Sequence, residues 1–421
     1  MSSIQTDSAD AQVSMVAGLN VHWHTDLSEI DPAQWDALAA GVDGGSPFLR
    51  LGFLRAMVDS GSACPDTGWH PLFLTVQDDF GQLLAGCPLF VKEHSYGEYV
   101  FDWAWADAHD RALASQGVHY FPKLLSAVPF SPIPGQRLLV QAGLPVATQD
   151  ALRRQLLDAM EARCVAQGWS STHALFVSDR EAQVAEQAGW LRRHGVQFHW
   201  ENRAGTPYVD FEDFLASLQR EKRKKIQQER RKVREAGVSF EVRQGGEIRA
   251  SDWDFFYRCY AQTYLERGQQ PYLSRDFWAR VAEALPGNWV LFTALREGAP
   301  IASALLAVDP ARRVAYGRYW GAVAQVPCLH FEACYYQPLA WCITEGYQRF
   351  EGGAQGEHKL ARGLLPVATH SVHWLAHTGL RDAVARFLTR EAQGVDQYRE
   401  HLDARAPFKF EPRAGEEQEL P

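Results

Sequence analysis

The pattern of apolar and polar positions in the first half of the chain predicts helices followed by strands. Residues 31–40 predict a helix, because Asp31 suits the capping position and Pro32 the first turn, and residues 46–61 predict a second helix. The remaining elements predicted before residue 205 are strands at 70–78, 83–94 and 96–108, a helix at 149–167, a strand at 173–178, a short helix ending at 188 and a strand from 197. This order is typical of a mixed α/β layer.

The second half begins with a long, densely charged helical pattern over residues 210–236, which Asp210 could cap and Gly237 could end. The earlier order then recurs as helices at 252–268 and 274–285, strands at 288–297, 300–309 and 313–323, a helix at 329–347, a strand at 369–377 and a helix at 380–401. Such a recurrence indicates an internal duplication. We therefore predict two similar α/β (α+β) domains with mixed sheets, joined by a basic helix.

The length of 421 residues also favours two domains, since one hydrophobic core rarely serves so long a chain. The predicted division is a polar tail at 1–20, a first domain at 21–205, a basic helical connection at 206–245, a second domain at 246–405 and a tail at 406–421.

Charge is distributed unevenly along the chain. The net charge is −9, yet residues 220–235 contain nine basic and three acidic residues, so the remainder carries −15. A basic strip of this size on an acidic protein favours a local site over a surface that coats nucleic acid. Lys224, Lys225, Arg230 and Arg231 are candidates for contact with the phosphates of tRNA or of a nucleotide-linked precursor; the alternative is a solvated helix face.

The seven cysteines are odd in number and irregularly spaced, which favours reduced thiols and a cytoplasmic location. The first twenty residues lack the basic flank and apolar block of a secretory signal, and no apolar run reaches the ~18–20 residues that cross a bilayer. Two groups of residues are candidate metal ligands: Cys328, His330, Cys334 and Cys342, and His370, His373 and His377. The first group has no C-x-x-C pair and the second alternates as a strand does, so we expect no metal.

The glycine-rich segment RFEGGAQGEHKLARG, residues 349–363, is the main candidate for chemistry. Its glycine spacing fits neither a P-loop nor a dinucleotide-binding loop. It does place Glu357, His358 and Lys359 in consecutive positions of a turn after a predicted strand. A lysine there could stabilise an oxyanion or hold a phosphate, and the carboxylate or imidazole could accept a proton. The alternative is a glycine turn with solvated charges.

Two other positions stand out because a charge lies among aromatic residues. Asp102 lies on the opposite face of its predicted strand from Trp105, and a buried carboxylate there would need a partner. It could orient an amine or a ribose, or it could form a structural pair. Tyr96 and Lys123 are weaker candidates near it. Arg318 in YGRYWGA could bind a carboxylate or phosphate, or it could form a salt bridge.

Three stretches resemble the Fem family of peptidyltransferases, which act in peptidoglycan cross-bridge synthesis: RKKIQQERRKVREAGV, GAPIASALLAV with VAYGRYWGA, and GYQRFEGGAQGEHKLARG. Together with HSYGEYVFDWAWADA, they look closest to the FemAB-like group, over about residues 45–400. The resemblance implies two tandem GNAT acyltransferase domains. It also implies that Lys359 matches a lysine near the reacting centre, although His358 replaces an aromatic residue and Leu364-Leu365 replaces a phenylalanine.

The resemblance implies transfer of an acyl or aminoacyl group to a primary amine of a peptide or nucleotide-linked acceptor. The donor would be aminoacyl-tRNA or acyl-CoA. The usual pyrophosphate loop of acyl-CoA enzymes is missing and no nucleophile motif occurs, so direct attack by the amine is expected. Lys359 would stabilise the intermediate, Glu357, His358 or Asp102 would manage the proton, and the expected substrate-binding residues are Arg318, Tyr96, Trp105, Arg362 and Lys123. The alternatives are a non-catalytic recognition protein and, more weakly, a nucleic-acid-binding module.

Overall fold

The computed structural model describes residues 18–41, 46–353 and 356–409. The predicted tails therefore lie largely outside the described residues. The helices are α1 (Pro32–Ala40), α2 (Leu51–Asp59), α3 (Trp103–Leu113), α4 (Val146–Gln167), α5 (Asp179–Gln187), α6 (Phe211–Ser217), α7 (Arg220–Glu235), α8 (Ala250–Leu265), α9 (Arg275–Ala284), α10 (Leu329–Phe331), α11 (Gln337–Thr344) and α12 (Thr378–Asp403).

The strands alternate with these helices along the chain. They are β1 (Asn20–His24), β2 (Trp69–Pro71), β3 (Phe73–Gln77), β4 (Leu83–Cys87), β5 (Phe90–Lys92), β6 (Lys123–Ser126), β7 (Leu139–Val140), β8 (Ser171–Val177), β9 (Leu191–Glu201), β10 (Val238–Gln244), β11 (Trp289–Arg296), β12 (Ala299–Asp309), β13 (Val314–Ala322), β14 (Arg349–Glu351) and β15 (Leu365–Leu375).

Local hydrogen bonds explain where several helices begin. The Asp31 carboxylate accepts from the backbone N–H groups of Ala33 and Gln34, so α1 begins at Pro32 as predicted. The Asp210 carboxylate likewise accepts from the N–H of Asp213 at 2.7 Å and caps α6. These side chains replace the intrahelical partners that the first N–H groups of a helix lack.

The chain forms two compact units, and the first comprises Met1–His194 and Thr369–Arg390. In it, β1, β3, β4 and β7 form an antiparallel sheet, while β8 pairs with β6 in parallel and β6, β5 and β2 continue antiparallel. The end of β15 adds an antiparallel neighbour to β8, with His373 opposite His173. Its apolar core contains α4 residues such as Leu156 and Met160 against the strands.

The second unit comprises Gly195–Ala368 and Glu391–Pro421. Strands β10 to β13 form an antiparallel meander, β13 pairs in parallel with β14, and β14 pairs antiparallel with the end of β9. The basic helix α7 belongs to this unit and buries Ile226 and Val233 in its cores. Strand β14 lies between β13 and β9 in the sheet. The turn at Gly352 and Gly353, which follows β14, therefore leaves the sheet beside those two strands.

Three sequence predictions are wrong in detail. Residues 96–108 do not form a strand: they form a loop, and α3 begins at Trp103, because Asp102 turns inward to Lys123 on β6. The helix predicted over 210–236 is two helices, since Leu218 is extended and forms a bridge with Phe408. The helix predicted over 329–347 contains a π-helical stretch at Glu332–Tyr336 and ends at Thr344.

Candidate functional site

The glycine turn after β14 is held against β9. The N–H of Gly352 donates to the carbonyl of Phe198 at 2.9 Å, and the N–H of Phe198 donates to the carbonyl of Gly353 at 3.3 Å. Gly353 has a φ of +82°, and a Cβ there would lie 2.4 Å from Nη1 of Arg318 and 3.9 Å from Nζ of Lys359. This position therefore needs glycine both for its conformation and to let two cationic side chains approach the backbone.

Lys359 lies in the 3₁₀ turn Glu357–Arg362 that follows, and only 6% of its surface is exposed. Its ammonium donates to the carbonyl of Gly353 at 3.2 Å, and among the described residues no carboxylate lies within ion-pair distance of it. Burial, together with the nearby Arg318 guanidinium, lowers the pKa of Lys359 to about 7. A buried ammonium beside a second cation favours the arrival of an anionic group.

Sequence reasoning missed the buried polar residues around this turn. Glu351 on β14 lies 3.2 Å from Nε of Arg349, and its burial raises the pKa of its carboxyl against the opposing effects of Arg349 and Arg318. Burial and the charge of Arg349 lower the pKa of His199 on β9 to about 3, so this imidazole is neutral at pH 7. The sequence pattern could have revealed Glu351 and His199 as buried polar residues, because each stands next to a core aromatic residue in the strand segments RFE and QFHWE.

The two residues before Lys359 have different surroundings. Glu357 is half exposed and pairs with Arg405 at 3.2 Å. His358 places Nε2 3.0 Å from the Tyr335 hydroxyl, and burial followed by the charge of Arg362 lowers its pKa. Both residues are exposed: the lowered pKa of His358 favours its neutral imidazole form, and Glu357 is a carboxylate paired with Arg405.

Arg362 is buried in a network within the second unit. Its Nη2 donates to Glu229 of α7 at 2.9 Å, its Nη1 donates to the carbonyl of His358 at 2.7 Å, and its guanidinium lies 3.5 Å from the centre of the Phe331 ring. The Tyr336 hydroxyl also donates to Glu229. These contacts fix the 3₁₀ turn to α7 and to the π-helical stretch. These partners of Arg362 all belong to the second unit. A role of Arg362 in substrate binding stays a prediction.

The basic face of α7 lines a groove of about 460 Å³. Of the predicted residues, Lys224, Arg230 and Arg231 line it, and Arg234 joins them. Arg230 also pairs with Glu332 at 3.2 Å, and Lys225 is exposed on the same helix. The structure thus brings most of the predicted phosphate-contact residues to one concave surface.

Asp102 and Lys123 form a buried ionic cluster in the first unit. Nζ of Lys123 donates to Ser95 at 2.9 Å, to Glu98 at 2.8 Å and to Asp102 at 2.6 Å. Burial opposes ionisation of Asp102, but the charge of Lys123, together with the hydrogen bonds from Lys123 and Ser95, holds the pKa of that carboxyl well below its usual range. Burial raises the pKa of Glu98 to about 7. The Lys123 ammonium opposes this rise, but it also pairs with Asp102, whose negative charge raises the pKa of Glu98 further.

Histidines and aromatic rings surround this cluster. The Tyr120 hydroxyl donates to Asp102 at 2.7 Å, and Nδ1 of His173 lies 2.8 Å from Nδ1 of His373. Burial and the charge of Lys123 lower the pKa of His173 to about 3. Trp105 is buried, with its ring 4.9 Å from that of His373, whereas Tyr96 is exposed.

In the part of the chain that the structure describes, no group of three or more His, Cys, Asp or Glu side chains is arranged to hold a metal ion. Over the same residues, none of the helices combines the length and the apolar character needed to span a membrane.

The comparisons with known proteins identify the family. The model of the FemAB-like family, described as peptidoglycan biosynthesis/recognition, matches residues 26–410. The chain therefore belongs to the FemAB-like family. No curated protein matches the sequence.

Solved structures share the fold at low identity. The C-terminal domain of a protein described as a lysylphosphatidylglycerol synthetase from Agrobacterium fabrum is 10% identical, with a TM-score of 0.51 over 87% of this chain and 97% of that one. The L-PGS from Bacillus licheniformis is 11% identical, with a TM-score of 0.50 over 85% and 97%. A tandem GNAT protein from the clavulanic acid biosynthesis pathway is 12% identical, with a TM-score of 0.39 over 85% and 99%. The predicted fold class, α/β (α+β) with mixed sheets in two units, is confirmed.

Proposed function

We propose that this protein transfers an acyl or aminoacyl group to a primary amine of a peptide or of a peptidoglycan-precursor-like acceptor. The observation that carries the proposal is the convergence of Lys359 and Arg318 on the Gly352–Gly353 turn. Lys359 is costly to keep charged there, because it is buried and pairs with no carboxylate among the described residues. Such a cost is expected where an anion forms during a reaction.

The proposed reaction is direct attack by the acceptor amine on the carbonyl carbon of the donor. A C–N bond forms, the carbonyl oxygen becomes an oxyanion, and Lys359 stabilises it while Arg318 binds an anionic part of the substrate. The C–O bond of an aminoacyl ester or the C–S bond of a thioester then breaks, and the leaving group takes a proton. His358 is the better candidate to accept the proton of the amine, since its lowered pKa favours the neutral form, whereas Glu357 pairs with Arg405.

The groove on α7 supports a donor or acceptor that carries phosphates. Four basic side chains, from Lys224, Arg230, Arg231 and Arg234, line a space large enough for a nucleotide or a short stretch of RNA backbone. Replacing Lys224 and Arg231 by Gln should weaken the binding of tRNA or of a nucleotide-linked peptide and reduce its dependence on salt. Equal binding by wild type and variant would exclude this role.

The transfer itself can be tested with two donors and one acceptor. Aminoacyl-tRNA or acetyl-CoA is mixed with a nucleotide-linked muramyl pentapeptide, and the acceptor is analysed by mass spectrometry for an added acyl group. Lys359→Met should abolish the product, Lys359→Arg should retain part of it, and Lys232→Met, which removes an exposed lysine of α7, should match the wild type.

The alternative is a recognition protein that binds the acceptor without modifying it. If wild type gives no product with either donor but binds the pentapeptide in calorimetry, the recognition function replaces the transferase. If Lys359→Met transfers as well as the wild type, the role given to the glycine turn is wrong.

A further inference from the structure

Three exposed aromatic rings in the first unit form a contiguous surface, here called the aromatic platform: Tyr96, Phe101 and Trp103. They are 58%, 43% and 39% exposed. The ring centre of Trp103 lies 5.1 Å from that of Tyr96 and 6.0 Å from that of Phe101, and the Trp103 and Phe101 rings are within 16° of parallel. Adjoining exposed aromatic rings on a soluble domain mark a binding surface, because their burial would be favourable.

The buried ionic cluster holds this platform in place. Ser95 precedes Tyr96, and Asp102 stands between Phe101 and Trp103, so the inward residues alternate with the platform residues. Ser95 donates to Asp102, and Lys123 donates to both at 2.9 and 2.6 Å. The cluster thus ties both ends of the loop to β6 while the rings point to solvent.

Two further contacts order the same loop. Nη1 of Arg193 donates to the carbonyl of Phe101 at 2.8 Å, and its guanidinium lies 5.2 Å from the centre of the Trp105 ring. The N–H of Tyr96 donates to Nδ1 of His94 at 3.3 Å, and the His94 ring lies 5.2 Å from the Tyr96 ring. A ring surface that is ordered before binding loses little conformational entropy when a ligand arrives.

Charge decides which ligand suits the platform. Residues 93–110 contain five acidic residues and no lysine or arginine. Glu98 and Asp102 are buried, Glu93 pairs with His70 at 2.9 Å, and Asp110 accepts from the N–H of Tyr120 at 2.8 Å. Asp107, about one helical turn after Trp103 on α3, remains as an exposed acceptor. Stacking platforms for nucleic acids and surfaces for anionic membranes are both positively charged, so an acidic surround disfavours those ligands. It favours an uncharged ligand that donates hydrogen bonds.

We propose that the aromatic platform binds the sugar rings of a peptidoglycan glycan or glycan-bearing precursor. The C–H groups on one face of a pyranose carry partial positive charge and stack on the negative faces of aromatic rings, while its hydroxyl and amide groups can donate to Asp107. The stacked Phe101 and Trp103 rings, 6.0 Å apart, leave exposed aromatic surface that one or two sugars can contact. The inference deepens the proposed function, since it names a glycan as part of the acceptor.

A binding experiment without donor or peptide tests the platform independently of transfer. The full chain is titrated with the β-1,4-linked tetramer of N-acetylglucosamine to about 5 mM and followed by calorimetry and tryptophan fluorescence. Trp103→Ala and Tyr96→Ala should each weaken binding about tenfold. Phe80→Ala is the matched control, because Phe80 is 95% exposed in the turn between β3 and β4 and should change binding less than about twofold. Thermal unfolding of each variant checks that the fold is kept.

The proposal and the transferase function can fail separately. Lys359→Met should bind the tetramer as the wild type does, whatever its transfer activity. The platform proposal is overturned if the wild type does not bind the tetramer, or if the platform variants bind it as tightly as Phe80→Ala. Loss of binding to phosphatidylglycerol vesicles in Trp103→Ala, with glycan binding unchanged, would also overturn it in favour of a membrane contact.

Discussion

Replacing Lys359 by Met should stabilise the protein at neutral and acidic pH while abolishing transfer. The side chain is buried, its ammonium donates to the carbonyl of Gly353 at 3.2 Å, and Arg318 repels it. The fall in the pKa from 10.5 to about 7 corresponds to about 5 kcal/mol, since one pKa unit is about 1.4 kcal/mol. This is an upper limit on the gain, because methionine loses the hydrogen bond and part of the packing.

The stability gained in Lys359→Met should depend on pH, because Lys359 loses its proton at a lower pH in the folded state than in the unfolded state. Below pH 7 the lysine is charged in the folded and unfolded states, so the wild type bears the full cost. Between pH 7 and 10.5 the folded state has lost a proton that the unfolded state still binds, so the free energy of unfolding of the wild type rises with pH. The advantage of Lys359→Met should therefore be largest at pH 6 and smaller by about 3 kcal/mol at pH 9.

Urea denaturation followed by tryptophan fluorescence at pH 6 and pH 9 measures this difference. Lys232→Met is the control, since Lys232 is exposed on α7 and its loss should shift neither value by more than about 0.5 kcal/mol. If Lys359→Met is less stable than the wild type at pH 6, Lys359 has a structural role. Such a result would show that the buried ammonium does not destabilise the folded state.

Three further predictions follow from other buried or capping groups. Because the pKa of Glu98 rises from 4.5 to about 7 on folding, the free energy of unfolding of the wild type minus that of Glu98→Gln, measured by urea titration, should fall by up to about 3 kcal/mol as the pH rises from 4 to 8. A difference that does not change with pH would refute the assignment. Arg362→Met leaves the Glu229 carboxylate buried without its cation and should cost about 3–5 kcal/mol, whereas Arg405→Met at the surface should cost less than about 1 kcal/mol in the same assay. Asp210→Ala removes the cap of α6 and should cost about 1 kcal/mol, and no loss would show that the cap is replaced.

Short-range features of the fold were predictable from the sequence. Asp31 and Asp210 cap helices, and the helix and strand order of both halves was recognisable, because the hydrogen bonds and periodicities involved join neighbours in the chain. The aromatic stretch around Asp102 misled the prediction. Its alternation of inward and outward side chains is real, but it belongs to a loop tied down by Lys123, twenty-one positions away.

The candidate site likewise combines features that the sequence predicts with contacts that only the folded structure creates. The sequence by itself determined that a glycine turn carrying Lys359 follows a core strand and that a basic face runs along α7. Only the tertiary structure decided that Arg318 comes to the same glycines, that Arg362 is committed to Glu229 at a separation of 133 residues, and that the ionic cluster of Lys123 supports exposed rings. Partners so far apart in the chain are selected by burial, since a charge removed from water must find a counter-charge or be neutralised by gaining or losing a proton.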